Sequence, residues 1–387
     1  MKEISGKFVT IQGERYYEIQ HFDAMQPFFI SIASESDLWM YVSSNGSLTA
    51  GRRNPDNALF PYYTDDKITD SAEITGSKTI VRIPQSTGFK VWEPFSCRNE
   101  GIYAIERSIA KCTTGNKLLF KEINHDLGLT FSYLWTNSDH FGFIRKSWLT
   151  NHSDAKVACE MIDGIQNILP AGIDRATQNE YSTLVDGYKK TERIADSTLA
   201  LYRMEAILVD RAEPSESLRV NTVWSTATNA NGFLLGSTQL SNFRRGMDIT
   251  TENESKGIRG AYFVYTTGAI LPGEELQQYI VAGLNQDAND VAARIHFLQT
   301  ENEIAQQLEK SIAEGTATLK ALVAGADGIQ YTADENGSAR HFSNVLFNLM
   351  RGGIYNDGYT IEGKSFSQHV THFNKSIALR HSCFYPS

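Results

Sequence analysis

The chain has 387 residues, a formal net charge of −9 and a pI near 5.5, and its Lys and Arg residues form no concentrated cluster. Because nucleic acids and anionic membrane surfaces bind concentrated basic patches, the sequence predicts neither as a partner. A hydrophobic fraction of 41% and a charged fraction of 21% are typical of a globular protein, here one large domain with an appendage.

The N-terminal segment and the cysteines indicate a cytoplasmic protein. Residues 1–20 lack the apolar stretch of roughly 7–15 residues of a signal peptide, and no window has the ~20 apolar residues of a membrane span. Cys97, Cys112, Cys159 and Cys383 have no spacing typical of a zinc site or a disulfide framework. Cys97 and Cys112 could face each other across strands, but reduced thiols are the rule in the cytoplasm.

Residues 1–285 consist of short alternating segments bounded by Gly, Asn, Asp and Ser, the pattern of half-buried antiparallel strands. In residues 129–136 Leu, Phe, Tyr and Trp alternate with mostly polar residues, so we expect one apolar and one polar face. Hairpins or strands are also predicted at residues 28–33 with 38–43, 102–110 with 117–123, 218–224, 260–266 and 275–282. Roughly a dozen strands are too many for an immunoglobulin sandwich, and a large double-sheet sandwich fits best.

At Asp287 the apolar residues begin to recur at intervals of three and four, which predicts helix. Asp287 or Asn289 can cap its start, Gly315 interrupts it and residues 325–328 end it, so we expect two helices totalling about 35 residues. They form either a spacer about 50 Å long or helices packed on the sandwich. Residues 329–387 contain few apolar positions and indicate either the beginning of a further domain or a clasp on the sandwich.

This order of strands, helical spacer and helical segment resembles that of the cellobiose phosphorylase family of inverting disaccharide phosphorylases. The run from Trp39 to Arg53 is similar to the family's early strand pair, in which a glycine-containing turn lies near the sugar-facing edge. The run from Leu129 to Pro170 is similar to the strands that build the family's sheet core and not its active site. The detailed matches are confined to residues 38–67 and 129–172.

The resemblance implies a mainly β fold with three parts. These are a large antiparallel β-supersandwich of the galactose mutarotase type in residues 1–285, a helical linker in residues 286–328, and a C-terminal segment, residues 329–387, as the start of a missing (α/α)6 barrel. In the family the catalytic aspartate lies in that barrel, so the resemblance assigns no catalytic residue to this chain.

The resemblance also implies a function. The chain would be the N-terminal carbohydrate-binding and dimerisation region of a glycoside phosphorylase-like enzyme. Its ligand would be an oligosaccharide or sugar phosphate, its assembly a homodimer, and inorganic phosphate the nucleophile of the intact enzyme. No metal and no organic cofactor is implied.

The run from Thr49 to Lys67 concentrates arginine, asparagine, aspartate and tyrosine in one loop-like segment. Such a mixture suits a sugar, because carboxylates, amides and guanidinium groups pair with hydroxyls while an aromatic ring covers the apolar side of the pyranose. Paired arginines also suit phosphate. The alternative is a surface loop with local ion pairs. The candidate carbohydrate- or phosphate-binding residues in this run are Arg52, Arg53, Asp56, Tyr62 and Tyr63. Trp39 is a further candidate: Trp39 or Trp92 could stack on a sugar ring, although aromatic residues in strands are more often core.

Two further sets of residues bear on catalysis. His125 and His140 each have an aspartate as chain neighbour, and imidazole with carboxylate would serve an aldose epimerase. Adjacent strand residues point to opposite faces, which favours structural or exposed roles. Glu106 and Glu122 fall on facing strands of one predicted hairpin, where two carboxylates could flank a glycosidic bond. The alternatives to the implied function are therefore a stand-alone carbohydrate-binding module and an aldose epimerase.

Overall fold

The computed structural model describes residues 3–63, 65–181, 185–206, 218–227, 229–352 and 361–380, without the side chains of Asp65, Asp66 and Tyr181. The chain divides into two compact units, Met1–Gly315 and Thr316–Ser387. In the described part, no helix is both long enough and apolar enough to cross a lipid bilayer. The predicted domain limits after residues 285 and 328 stay predictions.

Strands are the predominant secondary structure of the first unit. They are β1 (Ser5–Ile11), β2 (Glu14–Gln20), β3 (Phe29–Ile32), β4 (Leu38–Ser43), β5 (Leu48–Arg52), β6 (Ala58–Phe60), β7 (Gly76–Pro84), β8 (Phe89–Trp92), β9 (Ile105–Cys112), β10 (Leu118–Asn124), β11 (Leu129–Ser138), β12 (Gly142–Asn151), β13 (Val157–Ile168), β14 (Lys189–Arg193), β15 (Ala200–Met204), β16 (Val220–Ser225), β17 (Gly232–Leu234), β18 (Glu254–Lys256), β19 (Gly260–Ile270) and β20 (Glu275–Gln286). The α-helices are α1 (Asp65–Asp70), α2 (Leu240–Arg244), α3 (Ala288–Thr300), α4 (Ile304–Gly325), α5 (Glu335–Met350), α6 (Gly363–Phe373) and α7 (Lys375–Arg380).

The strands form three sheets. An eleven-stranded sheet has the order β1-β2-β9-β10-β11-β12-β20-β16-β15-β14-β18, a five-stranded sheet the order β17-β19-β13-β7-β8, and a four-stranded sheet the order β3-β4-β5-β6. Both predicted hairpins are confirmed, because β3 pairs with β4 and β9 with β10, each antiparallel. The later predicted strands correspond to β16, β19 and β20. The protein is thus mainly β, with large antiparallel sheets, as predicted.

One hydrophobic core is shared by the three sheets. Its largest buried side chains include Phe120, Phe131 and Trp135 of the eleven-stranded sheet, Trp92 of the five-stranded sheet and Phe60 of the four-stranded sheet. Buried side chains recur at every second position of a strand, because successive side chains point to opposite faces of the sheet. The large sheet therefore packs against the two smaller ones.

The polar face predicted for residues 129–136 differs from the observed one. Thr130, Ser132 and Thr136 do point away from the aromatic side, but all three are buried. Ser132 lies directly between Lys121 and Trp148 of the adjacent strands, whose longer side chains flank it. A central strand of a wide sheet can therefore bury small hydroxyl groups on the face that the alternation assigns to solvent.

Two consecutive helices follow β20, as predicted, and they pack on the sheet. Asp287 caps α3 in a capping box with Asp290. The α3 helix and the first part of α4 cover a cluster on the eleven-stranded sheet that includes Trp224 and Tyr279. The prediction that Gly315 interrupts the helix is wrong, since α4 continues through it.

Gly315 instead provides space on α4. A Cβ atom at this position would lie 2.6 Å from the Glu35 Oε1 atom. The absence of a side chain therefore allows the Glu35 carboxylate to approach the helix, which explains the glycine without a break in α4.

The second unit contains the last ten residues of α4, Thr316–Gly325, and helices α5 to α7. Val345 and Leu346 of α5 are buried, and Gly328 leaves room for Val323 and Val345. The His341 Nε2 atom lies 2.9 Å from the Asp327 carbonyl oxygen. These contacts fix the start of α5 against the end of α4.

The cysteines with described positions are free thiols. Cys97 is exposed, whereas Cys112 and Cys159 are buried. Cys112, the last residue of β9, accepts a hydrogen bond from the Lys117 amide at 3.1 Å, and no disulfide joins it to Cys97. Cys383 lies outside the described residues.

Candidate functional site

A bulge at the end of β13 places two adjacent amide residues at the wall of one cleft. The register against β19 shifts between Gln166 and Ile168, and Asn167 has a φ angle of 61°. In a regular strand Gln166 and Asn167 would point to opposite faces, but a bulge re-aims the side chains beside it. Both residues line one cleft. Because left-handed residues other than glycine are enriched at functional sites, this bulge makes the cleft a candidate functional site.

The cleft has a volume of about 530 Å³, within the range of roughly 300–1,000 Å³ that is usual for ligand pockets. Its walls come from chain segments that lie far apart in sequence and meet beside β7 and β13. We call it the bulge cleft and define it by Glu73, Lys78, Arg98, Gln166, Ser237 and Arg259.

One of the residues that line the bulge cleft, Lys78, has a buried ammonium group. The Lys78 side chain is only 6% exposed, and its Nζ atom contacts Glu73 and lies 2.5 Å from the Glu93 Oε1 atom. Arg244 donates two further hydrogen bonds to Glu93, at 2.7 and 2.8 Å. Because an unpaired buried charge is costly, this pairing is what permits charged groups at the floor of the cleft.

Both carboxylates are ionised at neutral pH. Burial acts to raise the pKa of Glu73, but Lys78 and hydrogen bonds from Ser96 and the Cys97 amide outweigh it and lower the pKa to about 2. Burial likewise opposes ionisation of Glu93, and Arg244 with Lys78 still brings its pKa below the usual value. A general acid for glycosidic cleavage needs a raised pKa, so these two groups suit binding and orientation.

Amide groups and an apolar surface complete the wall. Gln166 donates through Nε2 to the Glu73 carbonyl oxygen at 2.8 Å and accepts from Ser237 Oγ at 3.3 Å. Asn167 donates to Thr75 Oγ1 at 2.8 Å. Ile74, half exposed, adds apolar area. Oriented amides, charged groups and an apolar patch are the elements that a sugar uses.

The two arginines among the sequence candidates share one carboxylate away from this cleft. Arg52 Nε lies 2.5 Å from Asp37 Oδ1, and its Nη2 lies 2.7 Å from Asp139 Oδ1. Arg53, which has a φ angle of 63°, contacts the other Asp37 oxygen at 3.2 Å. The structure therefore brings these arginines together in a surface ion-pair network, and their role in binding stays a prediction.

The remaining candidates are spread over the neighbouring surface. The Trp39 and Tyr62 rings meet edge to face with their centroids 5.7 Å apart. Asp56 accepts a hydrogen bond from the Arg175 amide at 3.1 Å. Burial raises the pKa of Tyr63, and two residues that line the bulge cleft, Arg259 and Asp186, act on that pKa in opposite directions. Tyr63 is thus the candidate within electrostatic reach of the cleft.

The predicted pair of carboxylates is not formed. Glu106 lies opposite Ile123 in the hairpin register and Glu122 lies opposite Arg107, so the two acidic side chains point to opposite faces. Glu122 is fully buried and accepts hydrogen bonds from Arg107 Nε and Trp92 Nε1, both at 2.7 Å. The hypothesis of carboxylates flanking a glycosidic bond at this hairpin is wrong.

One imidazole does meet a carboxylate. His125 Nε2 lies 3.3 Å from Glu106 Oε1, and both side chains are about half exposed. They line an open depression of about 490 Å³. The aspartate beside His140 is engaged with Arg52, and the His140 ring packs edge to face on Phe141.

Sequence reasoning missed the bulge cleft, although weak signals existed. The run from Asp163 to Pro170 resembles a strand of the sheet core, yet Gln166 and Asn167 interrupt its alternation with two adjacent amides. Lys78 is one of two charged residues in strand β7, the other being Arg82. Two adjacent amides or one strand lysine are common outside functional sites, so neither signal alone identifies a cleft.

Comparison with known proteins gives similarity in fold only. No protein family model and no curated protein matches the sequence. Solved structures with a similar fold include a kojibiose phosphorylase from the human microbiome, at 8% identity and a TM-score of 0.40, which covers 89% of this chain and 43% of that one. A bacterial glucoamylase complexed with acarbose has 11% identity and a TM-score of 0.44 over 87% of this chain and 42% of that one.

A third similar structure is an aldose 1-epimerase from Klebsiella pneumoniae, at 9% identity and a TM-score of 0.33, over 77% of this chain and 93% of that one. This chain therefore spans less than half of the phosphorylase and of the glucoamylase. At such identities and scores, none of these likenesses assigns a function.

Proposed function

We propose that this chain binds a carbohydrate in the bulge cleft and contributes binding without carrying out the bond cleavage. The observation that carries the proposal is the β13 bulge, which brings Gln166 and Asn167 to the wall of a cleft that the paired Glu73, Lys78 and Arg244 also line. The low pKa of Glu73 supports a binding role, because an ionised carboxylate accepts hydrogen bonds from hydroxyl groups and has no proton to give.

The proposal keeps the finer features that the sequence resemblance implies. The first unit is a supersandwich of the galactose mutarotase type, and it serves a glycoside phosphorylase-like enzyme in the cytoplasm. The ligand is an oligosaccharide or sugar phosphate, inorganic phosphate is the nucleophile of the intact enzyme, and the assembly is a homodimer.

Substitution of Gln166 tests the binding site. We expect Gln166→Ala to weaken sugar binding about three- to tenfold, the effect of one lost hydrogen bond. The measurement is calorimetric titration of a panel of mono- and disaccharides. Gln85→Ala, in the exposed β7–β8 turn, is the matched control and should bind as the wild type does. Equal affinity in the wild type and Gln166→Ala would place the sugar elsewhere, and no saturable binding of any sugar would refute the proposal.

A second candidate function is aldose epimerase activity, favoured by the contact between His125 and Glu106. General acid–base catalysis by this pair would speed the interconversion of sugar anomers. Polarimetry of freshly dissolved aldoses should then show acceleration that His125→Asn abolishes and that the exposed control His152→Asn retains. A rate equal to that in buffer would exclude this function.

A further inference from the structure

The charges around the bulge cleft are unequal. Lys78 and Arg244 are matched by the carboxylates of Glu73 and Glu93, with contacts of 2.8 Å or less. Arg98 adds a third cation, but its Nε atom lies 4.0 Å from Glu93, which two other cations already occupy. The Arg98 side chain is 59% exposed, so its hydrogen-bonding edge is open to a ligand.

Arg259, which also lines the cleft, is likewise only weakly paired. Its Nε atom lies 3.8 Å from Asp186 Oδ2, while Asp186 Oδ1 accepts a closer contact from Lys189 at 2.6 Å. The Arg259 side chain is 56% exposed. Among the described residues that line the cleft or form ion pairs with its lining, five cations therefore share three carboxylates. The cations are Lys78, Arg98, Lys189, Arg244 and Arg259, and the carboxylates are Glu73, Glu93 and Asp186. This local excess of positive charge lies in a chain whose net charge is −9.

We propose that the ligand of the bulge cleft is an anionic sugar, whose carboxylate or phosphate group binds Arg98 and Arg259. The inference rests on the proposed function, and it adds the charge of the substrate. A guanidinium group offers a planar pair of donors that matches both carboxylate and phosphate, and such charge-assisted bonds are stronger than neutral ones. The sugar hydroxyls then face the amide of Gln166 and the hydroxyl of Ser237.

A neutral sugar would use this cleft less well. It would leave two exposed guanidinium groups beside the ligand without a matched anion, and binding would remove water from them without compensation. An anion supplies that compensation and gains from the cationic surface during association. The cleft therefore favours a sugar with an anionic group, a feature that uronates and sugar phosphates share.

The experiment compares matched sugars on the full chain. Disaccharides built on glucose, galactose and mannose are titrated calorimetrically in three forms: neutral, with the C6 carbon oxidised to a carboxylate, and with a phosphate on the C6 hydroxyl. The variant Arg98→Gln/Arg259→Gln removes both positive charges and keeps polar side chains at exposed positions. Arg15→Gln, at the exposed β1–β2 hairpin, is the control for loss of an arginine elsewhere.

We expect an anionic form to bind about tenfold or more tightly than its neutral form, with the preference lost in the double variant and retained in Arg15→Gln. A preference for the carboxylate identifies a uronate, and a preference for the phosphate identifies a sugar phosphate. Equal affinities for all three forms would overturn the inference while leaving a neutral carbohydrate ligand in place. Absence of binding by every form would overturn the proposed function and this inference together.

Discussion

Lys78 shows how one buried cation can organise a site. Its ammonium group joins Glu73, from the segment before β7, to Glu93, from the segment after β8. Each carboxylate then holds a second partner, Ser96 for Glu73 and Arg244 for Glu93. The walls of the bulge cleft are thereby connected through charge pairs, which fixes the positions of polar groups more strictly than apolar packing does.

The low pKa of Glu73 predicts an acid-sensitive contribution to stability. The folded-state pKa of about 2 lies below the ordinary value of 4.5, so the contribution is complete above roughly pH 5 and is lost as the pH falls toward 2. Glu73→Gln removes this titration, and its urea midpoint should fall less steeply over that interval than the midpoint of the wild type. The measurement is urea unfolding at a series of pH values.

Glu106→Gln provides the comparison for this experiment, because the Glu106 side chain is 52% exposed and pairs only with His125 among the ion pairs of the described residues. Its pH profile should resemble that of the wild type. Parallel profiles for the wild type and Glu73→Gln would show that the Lys78 pair does not contribute to acid stability.

At the scale of elements, β13 depends on a glycine in its middle. A Cβ atom on Gly164 would collide with the Tyr262 carbonyl oxygen and lie 2.8 Å from the Phe263 Cα atom. Both contacts are with the backbone of the paired strand β19, which cannot move aside without breaking the ladder. The close approach of these two strands therefore requires a residue without a side chain.

Gly164→Ala should lower the free energy of unfolding by about 1–3 kcal/mol, the usual cost of forcing extra atoms into a packed site. Gly268→Ala is the matched control on β19, because no atom lies within 4 Å of the Cβ position there. Its stability should stay within about 0.5 kcal/mol of the wild type. Equilibrium urea unfolding measures both, and equal stabilities would contradict the close approach.

The sequence predicts those strands and helices that are determined by residues close to one another in the chain. The hairpin of β3 and β4 follows from alternation and a polar turn, and the start of α3 follows from Asp287 and the change of period. The burial of Ser132 depends on the strands that flank it, and the need for a glycine at position 315 of α4 depends on the approach of Glu35. Such features require knowledge of distant chain segments.

The same distinction applies to the candidate site. Arg52 and Arg53 are sequence candidates because their loop is rich in polar residues, and the structure pairs them with Asp37 from the β3–β4 turn. The bulge cleft instead joins residues from Glu73 to Arg259. A site assembled from segments nearly two hundred residues apart has no continuous pattern in the sequence.

At the scale of the whole molecule, one buried ion pair connects two sheets. Arg145 of β12 in the eleven-stranded sheet binds Asp163 of β13 in the five-stranded sheet through both terminal nitrogens, at 2.7 and 2.9 Å, and both side chains are fully buried. Ser147 and Thr79 also donate to Asp163. Burial opposes ionisation, but Arg145 and these hydroxyl groups keep the pKa of Asp163 below its ordinary value.

Arg145→Met should lower the free energy of unfolding by about 3–5 kcal/mol, because it leaves a buried carboxylate without its counter-ion. Arg145→Met/Asp163→Leu should recover part of this loss, since both charges are then absent. Arg245→Met, at an exposed position, serves as the control. Calorimetric unfolding gives the comparison, and a double variant less stable than Arg145→Met would show that packing and not charge dominates at this point.

The strand order also determines when this protein can fold during synthesis. Strand β20 lies between β12 and β16, and Phe143 of β12 pairs with Ala282 of β20. The eleven-stranded sheet therefore stays divided until β20 has left the ribosome. At roughly 5–20 residues per second, translation of the intervening chain takes on the order of ten seconds. Throughout that interval one edge of β12 is unpaired, and a nascent chain has greatest need of a chaperone there.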